Sequence, residues 1–344
     1  MSDAPDTRPE ITCRADGPCG VITLDRPQAL NALTHDMVRE IAAALDAWEL
    51  DDAITRVIIQ SAGGKAFCAG GDIRTLYEQG LARNHAAEVA FWRDEYKLDI
   101  RIKRFPKPYV ALVDGIVMGG GAGISIHASH VVAGDGFSFA MPEAGIGFFP
   151  DVGASYFLPR LPGHAGTRLA LTGARVGAAE ALALGLARAH APGAAFSDVR
   201  RALLAGADVD AVLAPFRHGG AATPPDPLDA CFAGVSVVEI LERLEAEGSE
   251  QAVAAAAAIQ TKSPTSLAIA LRQMQTGATM TLEEAMEMEF RIVSRLCRGK
   301  DFYEGVRALV IDKDFKPAWL PARIADVLAC DIDIYFAPLP GGGL

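Results

Sequence analysis

The sequence predicts an α/β fold followed by a helical region. Short apolar strands alternate with helices from residue 20 to about residue 140, which is typical of a parallel or mixed sheet with crossover helices. From about residue 163 onward nearly all the periodicity is helical. Half of the 344 residues are hydrophobic and 22% are charged, so the chain can bury one large core or two ordinary ones.

The predicted strands are short and lie between glycine, proline or charged residues. Residues 20–25 (GVITLD) alternate apolar and polar side chains, and residues 11–15 are placed to pair with them across the turn at 17–18. Further strands are predicted at 56–60 (RVIIQ), 109–113 (YVALV), 131–132 and 137–139.

The predicted helices are marked by caps and apolar stripes. Thr34 is placed to cap a helix that ends at Leu50, and a helix starts near Asp72. Other helices are predicted over 85–105, from the loop at 118–123 through about 129, over 163–187 and 196–215, and as a series over 235–309. Thr281 and Glu284 have capping-box spacing, and residues 217–230 form the predicted linker.

Charge and cysteine usage exclude several classes of protein. With 32 Lys and Arg against 43 Asp and Glu, the net charge is −11, which argues against nucleic-acid or anionic-membrane partners. The six cysteines have no C-x-x-C spacing, and His127 and His130 lie far from any acidic ligand set in the sequence, so no metal is expected. The polar N-terminus has no secretory pattern. We therefore expect a cytoplasmic protein with reduced cysteines.

Two glycine-rich loops, at 67–72 (FCAGGD) and 118–123 (MGGGAG), each follow a strand and precede a helix. Glycine lets backbone N–H groups approach a ligand, and the start of a helix favours negative charge. Two such loops can supply one N–H each to an oxyanion, although two tight turns without a ligand would give the same pattern. Neither loop has the frame of a nucleotide-binding motif.

Two acids lie in the apolar, glycine-rich segment 138–161, namely Glu143 and Asp151. Burial would raise their pKa values toward the range used in general acid–base catalysis. The alternatives are that Asp151 caps the next helix or that either acid pairs with an arginine such as Arg160.

These segments resemble the enoyl-CoA hydratase/isomerase (crotonase) superfamily. The resemblance is carried by LDRPQALNAL (24–33), GGKAFCAGGDI (63–73), KPYVALVDGIVMGGGAGISIHAS (107–129) and the PE pair at 142–143. The segments 91–96, 139–161, 262–274 and 298–314 resemble the branch that hydrolyses 3-hydroxyisobutyryl-CoA, an activity of valine catabolism. The resemblance covers about residues 20–319. It implies a crotonase-like spiral of β-β-α units over 10–220 and an α-helical C-terminal region over 221–337 that covers the active site.

The resemblance also implies roles for single residues. The N–H groups of Gly71 and Gly120 would bind the thioester oxygen, Glu143 would act as base or nucleophile, and Asp151 and Glu95 would contact the acyl part. Hydratases carry a further acid at the position of Gly123, and its absence here weighs against water addition to a double bond. The expected coenzyme A contacts are Arg26, Ala29, Leu30, Lys65, Ala69, Gly71, Asp72 and Ile73.

Coenzyme A is part of the substrate, so no separate cofactor is expected, and the sequence leaves a homo-oligomer open. Three other functions are kept as alternatives. Isomerisation or hydration of an enoyl-CoA could use Glu143, and a serine hydrolase is suggested only by near misses of G-x-S-x-G at Ser125 and Ser138. A catalytically silent scaffold would have no use for an intact Glu143 and two intact glycine loops.

Overall fold

Strands and helices alternate in the first half of the chain, and helices follow. The computed structural model describes residues 9–217, 226–340 and 342–344. Within them the strands are β1 (Ile11–Asp16), β2 (Cys19–Leu24), β3 (Arg56–Ser61), β4 (Ala66–Cys68), β5 (Tyr109–Val113), β6 (Ile116–Met118), β7 (His130–Ala133), β8 (Ser138–Ala140), β9 (Val176–Gly177) and β10 (Ala189–His190). The α-helices are α1 (His35–Leu50), α2 (Ile73–Leu81), α3 (His85–Arg104), α4 (Gly120–Ile126), α5 (Ala154–Phe157), α6 (Ala165–Thr172), α7 (Ala178–Leu184), α8 (Ala194–Leu204), α9 (Val209–Leu213), α10 (Val237–Glu247), α11 (Glu250–Gln260), α12 (Pro264–Gly277), α13 (Leu282–Leu296), α14 (Lys300–Val306) and α15 (Ala329–Phe336).

The strands form two sheets, and from β3 to β8 successive strands of the chain alternate between them. One sheet has the order β1-β2-β3-β5-β7-β10 and the other β4-β6-β8-β9. In the first, β1 pairs antiparallel with β2 and the remaining pairs are parallel. Each pair of consecutive strands from β3 to β8 gives one strand to each sheet. This arrangement confirms the predicted spiral of β-β-α units.

The six-stranded sheet is buried on both faces, which explains the apolar runs in its strands. One face joins the main core, and the other carries a smaller cluster in which Val21, Ile58 and Val110 pack with Val199 and Leu203 of α8.

The predicted elements differ from the structure at the glycine-rich loops and after residue 163, where the two-residue strands β9 and β10 were not predicted. The strands β4 and β6 have three residues each and end at the start of those loops, where no alternation of side chains marks them. The helix expected to reach residue 129 ends at Ile126. Elsewhere the caps form as expected, since the Thr34 hydroxyl accepts from the Met37 N–H and Asp72 caps α2.

The C-terminal helices pack against the sheets as part of the main core. Thr281 and Glu284 form the capping box of α13, as the spacing predicts. Most of the predicted linker and the boundary between residues 220 and 221 lie outside the described residues, so the division at that point stays a prediction. In the described part of the chain, helices that are both long and apolar enough to cross a membrane are absent.

Candidate active site

The two glycine-rich loops meet at Gly71 and Gly120. An ideal Cβ built on Gly120 would lie 3.3 Å from the Gly71 nitrogen, which shows how closely the two backbones approach. Leu33 donates to Gly70 O at 2.8 Å and accepts from the Asp72 N–H at 2.9 Å, so the Gly71 N–H faces away from Leu33. Gly120 is the first residue of α4, where N–H groups have no partner within the helix.

A cavity of about 190 Å³ opens where these loops meet. Its walls are apolar except for three carboxyl groups, those of Glu95, Glu143 and Asp151. The other lining residues are Ala69, Gly70, Gly71, Ile73, Phe91, Trp92, Met118, Gly119, Gly120, Pro142, Ile146, Phe148 and Leu309. The structure thus brings together every residue to which the sequence assigned a catalytic or acyl-binding role.

Glu143 lies opposite the glycine loop at the start of a 3₁₀ turn, Glu143–Ile146. It is 7% exposed, and its Oε1 lies 3.3 Å from an ideal Cβ on Gly119, which is why a side chain at position 119 would crowd it. Its Oε2 is buried and has no hydrogen-bond partner among the described residues. Burial, and next the charge of Asp151, raise the pKa of Glu143 well above its ordinary value. Such a carboxyl group is available for proton transfer or attack.

Asp151 is held by a tyrosine rather than by a helix or an arginine. The Tyr96 hydroxyl donates to Asp151 Oδ2 at 2.8 Å, and both side chains are buried. Burial raises the pKa of Asp151 to about 7, against the opposing effect of the Tyr96 hydrogen bond. The cap of α5 is Gly153, and Arg160 donates to the carbonyl groups of Tyr156, Gly277 and Met280. Neither structural alternative for Asp151 is therefore realised.

Glu95 is only 2% exposed, although the charged residues around it in the sequence suggest a solvated helix face. Its Oε1 occupies the space where a Cβ on Gly120 would stand, and it has no hydrogen-bond partner among the described residues. Burial, followed by the charge of Asp151, raises the pKa of Glu95 well above its usual range. Glu95 therefore forms the cavity wall next to the two N–H groups.

The residues expected to contact coenzyme A fall into two groups. Ala69, Gly71 and Ile73 line the cavity. The loop that contains Ala29 and Leu30 adjoins them through the Ala69 N–H, which donates to Leu30 O at 3.0 Å.

The charged residues of that set lie outside the cavity lining. Arg26 donates to Glu10 at 2.7 Å and to Asp72 at 2.9 Å. It therefore links the segment 26–30 to the segment 65–73, and its guanidinium group is already paired with acids of the protein. Asp72 also caps α2. The side chain of Lys65 is exposed.

Among the described residues, one group could hold a metal ion: His85, Glu88 and Cys297. It lies outside the cavity lining, and Glu88 already accepts hydrogen bonds from His85 and Tyr303. Cys68 and Ser125, which lie in the two glycine-rich segments, are not activated as nucleophiles either. Burial raises the pKa of Cys68 to about 12, and the Ser125 hydroxyl donates to Gly121 O at 2.6 Å.

Three buried polar residues near the site were not expected from the sequence: Tyr96, Asp99 and Glu289. Glu289 accepts from the N–H groups of Gly153 at 2.7 Å and Ser155 at 2.8 Å, and it thereby fixes the turn after Asp151. A signal for it existed, because Glu289 lies on the apolar stripe of a strongly amphipathic helix, where a charged residue is unusual.

The comparison with known families agrees with the fold. The family model described as enoyl-CoA hydratase/isomerase matches residues 19–336. The chain belongs to the enoyl-CoA hydratase/isomerase family. Within this family, a solved carnitinyl-CoA dehydratase from Mycobacterium thermoresistibile is 39% identical, with a TM-score of 0.91 over 97% of this chain and 98% of that one. An enoyl-CoA hydratase from Rhodobacter sphaeroides is 40% identical, with a TM-score of 0.89 over 96% and 98% of the two chains.

Curated relatives in the family carry a different name. The mitochondrial 3-hydroxyisobutyryl-CoA hydrolase of Homo sapiens is 41% identical over all of this chain and 92% of its own length. The enzyme of the same name from Danio rerio is 43% identical over 96% and 90% of the two chains.

These names contradict the cytoplasmic location expected above, and that expectation is wrong. It rested on a polar N-terminus without an apolar stretch, which speaks only about secretory signals. Mitochondrial targeting segments are amphipathic and need no such stretch, so the pattern has no bearing on that compartment.

Proposed function

We propose that this protein hydrolyses the thioester of 3-hydroxyisobutyryl-CoA to 3-hydroxyisobutyrate and free coenzyme A. The observation that carries the proposal is the cavity in which the Gly71 and Gly120 backbones meet three buried carboxyl groups. The match to the curated relatives that carry this activity in their names spans about nine tenths of their length. This coverage supports the same assignment.

The two N–H groups are placed to stabilise the oxygen of the thioester during attack. As the carbonyl carbon becomes tetrahedral, negative charge develops on its oxygen, and donors fixed by the backbone need no reorganisation to meet it. One such donor is worth about 3–4 kcal/mol of barrier. The apolar walls formed by Phe91, Trp92 and Phe148 strengthen the effect because they exclude water.

Glu143 supplies the reacting group in its ionised form. It either removes a proton from a water molecule that attacks the carbonyl carbon, or attacks that carbon itself to give an anhydride that water then opens. In both routes water supplies the new oxygen, the carbon–sulfur bond breaks, and the thiolate of coenzyme A leaves with the bonding electrons. The raised pKa of Glu143 makes its ionised form a stronger base and lowers the fraction that is ionised at a given pH.

Asp151 and Glu95 are proposed to hold the acyl group through its 3-hydroxyl. Both reach the cavity, and a buried carboxyl oxygen without a partner, such as Glu95 Oε1, is a suitable acceptor for that hydroxyl. Coenzyme A is proposed to run past Ala69 and Ile73 toward the exposed Lys65.

A second candidate is hydration or isomerisation of an enoyl-CoA, because the two solved relatives near 40% identity are named a dehydratase and a hydratase. The two-carboxylate form of that chemistry needs an acid at position 123. A Cβ on Gly123 would lie 2.7 Å from the Asp99 carboxyl oxygens, so no acid fits there. Thioester hydrolysis is therefore the better supported function.

The test compares three substrates with one preparation of the full chain. A thiol reagent records coenzyme A release from 3-hydroxyisobutyryl-CoA and from isobutyryl-CoA, and the absorbance of crotonyl-CoA records hydration. We expect rapid release from the hydroxylated substrate, slower release from isobutyryl-CoA and no change in crotonyl-CoA. Loss of crotonyl-CoA absorbance without thiol release would refute the hydrolase proposal and favour the second candidate.

A further inference from the structure

Asp99 is a buried acid that the mechanism above does not use. It lies on α3 with 0% exposure and does not line the cavity. Neither of its carboxyl oxygens has a hydrogen-bond partner within the described residues. Leaving a buried polar group without a partner is costly, so an unpartnered carboxyl group beside an active site needs an explanation.

Two acids of α3 stand over two glycines of α4. Glu95 fills the space over Gly120, and Asp99, one turn later, fills the space over Gly123, where both of its oxygens lie 2.7 Å from an ideal Cβ. The φ angle of Gly123 is not positive, so the close approach of Asp99, not backbone conformation, is the reason for glycine there. Because residues i and i+4 of a helix are neighbours, Asp99 lies directly behind Glu95.

The charged groups that face Asp99 are all acidic. Burial first, and then the charges of Glu95, Asp151 and Glu289, raise the pKa of Asp99 well above its ordinary value. These groups come from α3, the turn before α5, and α13, and the phenol of Tyr109 approaches from β5. The described residues pair no lysine or arginine with Asp99. An ionised Asp99 would thus be an uncompensated charge in a dry environment, and the neutral acid is favoured.

We propose that Asp99 is a positioning residue, a neutral acid that donates a hydrogen bond toward Glu95, directly or through one water, and so fixes Glu95 in the cavity wall beside Gly120. The proposal rests on the proposed function, because it assigns Glu95 to the acyl group. A carboxylic acid offers one O–H donor. Glu95 Oε1, which has no partner among the described residues, can accept from Asp99 and from the substrate hydroxyl together, because a carboxyl oxygen accepts more than one hydrogen bond. Gly123 is then glycine because Asp99 occupies the place of its side chain.

The first test replaces Asp99 with neutral residues of similar shape. Asp99→Asn keeps a donor and should retain kcat/KM for 3-hydroxyisobutyryl-CoA within about 3-fold, whereas Asp99→Val should lower it about 10-fold, mainly through KM. On isobutyryl-CoA, which has no hydroxyl group for Glu95 to hold, Asp99→Val should have little effect. Glu88→Gln is the matched control, since Glu88 is also buried on α3 but pairs with His85 and Tyr303.

The pH profile separates positioning from packing. Ionisation of Asp99 would remove its donor and add a charge beside Glu95, so the kcat/KM of the unaltered protein for the hydroxylated substrate should fall at alkaline pH. Asp99→Asn cannot ionise and should lose that fall. An unchanged alkaline limb in Asp99→Asn, or equal losses on both substrates in Asp99→Val, would overturn the proposal.

A second measurement follows stability and does not depend on activity. Gly123→Ala should lower the free energy of unfolding because its Cβ meets the Asp99 carboxyl group, and Asp99→Ala should restore part of that loss in the double variant. Strictly additive effects would contradict the contact. If the unaltered protein released no coenzyme A, the proposed function would fail while this coupling could still be measured.

Discussion

Replacing Tyr96 with Phe should raise the pH at which Asp151 ionises. The Tyr96 hydroxyl donates to Asp151 Oδ2 at 2.8 Å, and this hydrogen bond lowers the pKa of Asp151 against the larger effect of burial. Both side chains are buried, so no bulk water replaces the lost donor. Without it, the neutral form of Asp151 gains relative to the ionised form.

The size of the shift follows from the strength of the lost bond. A hydrogen bond to a charged group is worth about 1.5–3 kcal/mol, and one pKa unit corresponds to about 1.4 kcal/mol. The pKa of Asp151 should therefore move from about 7 upward by roughly 1–2 units. The parameter kcat/KM reports groups of the free enzyme, so its pH profile on 3-hydroxyisobutyryl-CoA should rise as Asp151 ionises. In Tyr96→Phe this rising limb should be displaced to alkaline pH by that amount.

Tyr109→Phe is the matched control. Tyr109 is equally buried, but its hydroxyl donates to the carbonyl oxygen of Ile124 at 3.3 Å and not to an acid of the cavity. It should leave the limb in place. If Tyr96→Phe also left the limb unmoved while lowering the rate at every pH, the reasoning that the ionisation of Asp151 sets this limb would be refuted.

Three further predictions concern catalysis and stability. Glu143→Gln should lower kcat by about 10²–10⁴-fold while a fluorescence titration shows coenzyme A binding unchanged; comparable turnover would reject the role of Glu143. The pKa of Glu289 is raised to about 8 in the folded state, so the unfolded chain loses this proton first as the pH rises. The free energy of unfolding should therefore fall between about pH 5 and pH 8, and urea titrations of Glu289→Gln should show a smaller fall. Thr281→Ala should cost about 1 kcal/mol of unfolding free energy, seen as an earlier urea midpoint, with activity retained.

Local signals in the sequence were sufficient for the long elements. The helix α1 has both its cap at Thr34 and its apolar stripe in the sequence, and the structure confirms both. The three-residue strands β4 and β6 were missed because backbone pairing defines them and their side chains show no period. These two strands end at the glycine loops, so the elements with the weakest signals are the ones that position the N–H groups.

Burial was the property that sequence reasoning judged least well. The family resemblance placed Glu95 at the acyl group, but its charged neighbours in the sequence by themselves favour a solvated helix face. Glu95 is 2% exposed because that face of α3 packs against the glycines of α4. Arg26 was expected to face coenzyme A, but it bonds to Glu10 and Asp72. In each case the partner is distant in sequence, and nothing local indicates it.

The sequence by itself determined the class of fold, the two glycine loops and Glu143 as the acid between apolar neighbours. These follow from periodicity, from backbone freedom and from the apolar residues that flank one carboxyl group. Only the tertiary structure decided which acids share one environment. Glu95, Asp99, Asp151 and Glu289 come from three separate segments. Burial raises the pKa values of all four, and the charge of Asp151 raises those of the other three further. Such long-range effects exist only once the chain has folded and brought those segments together.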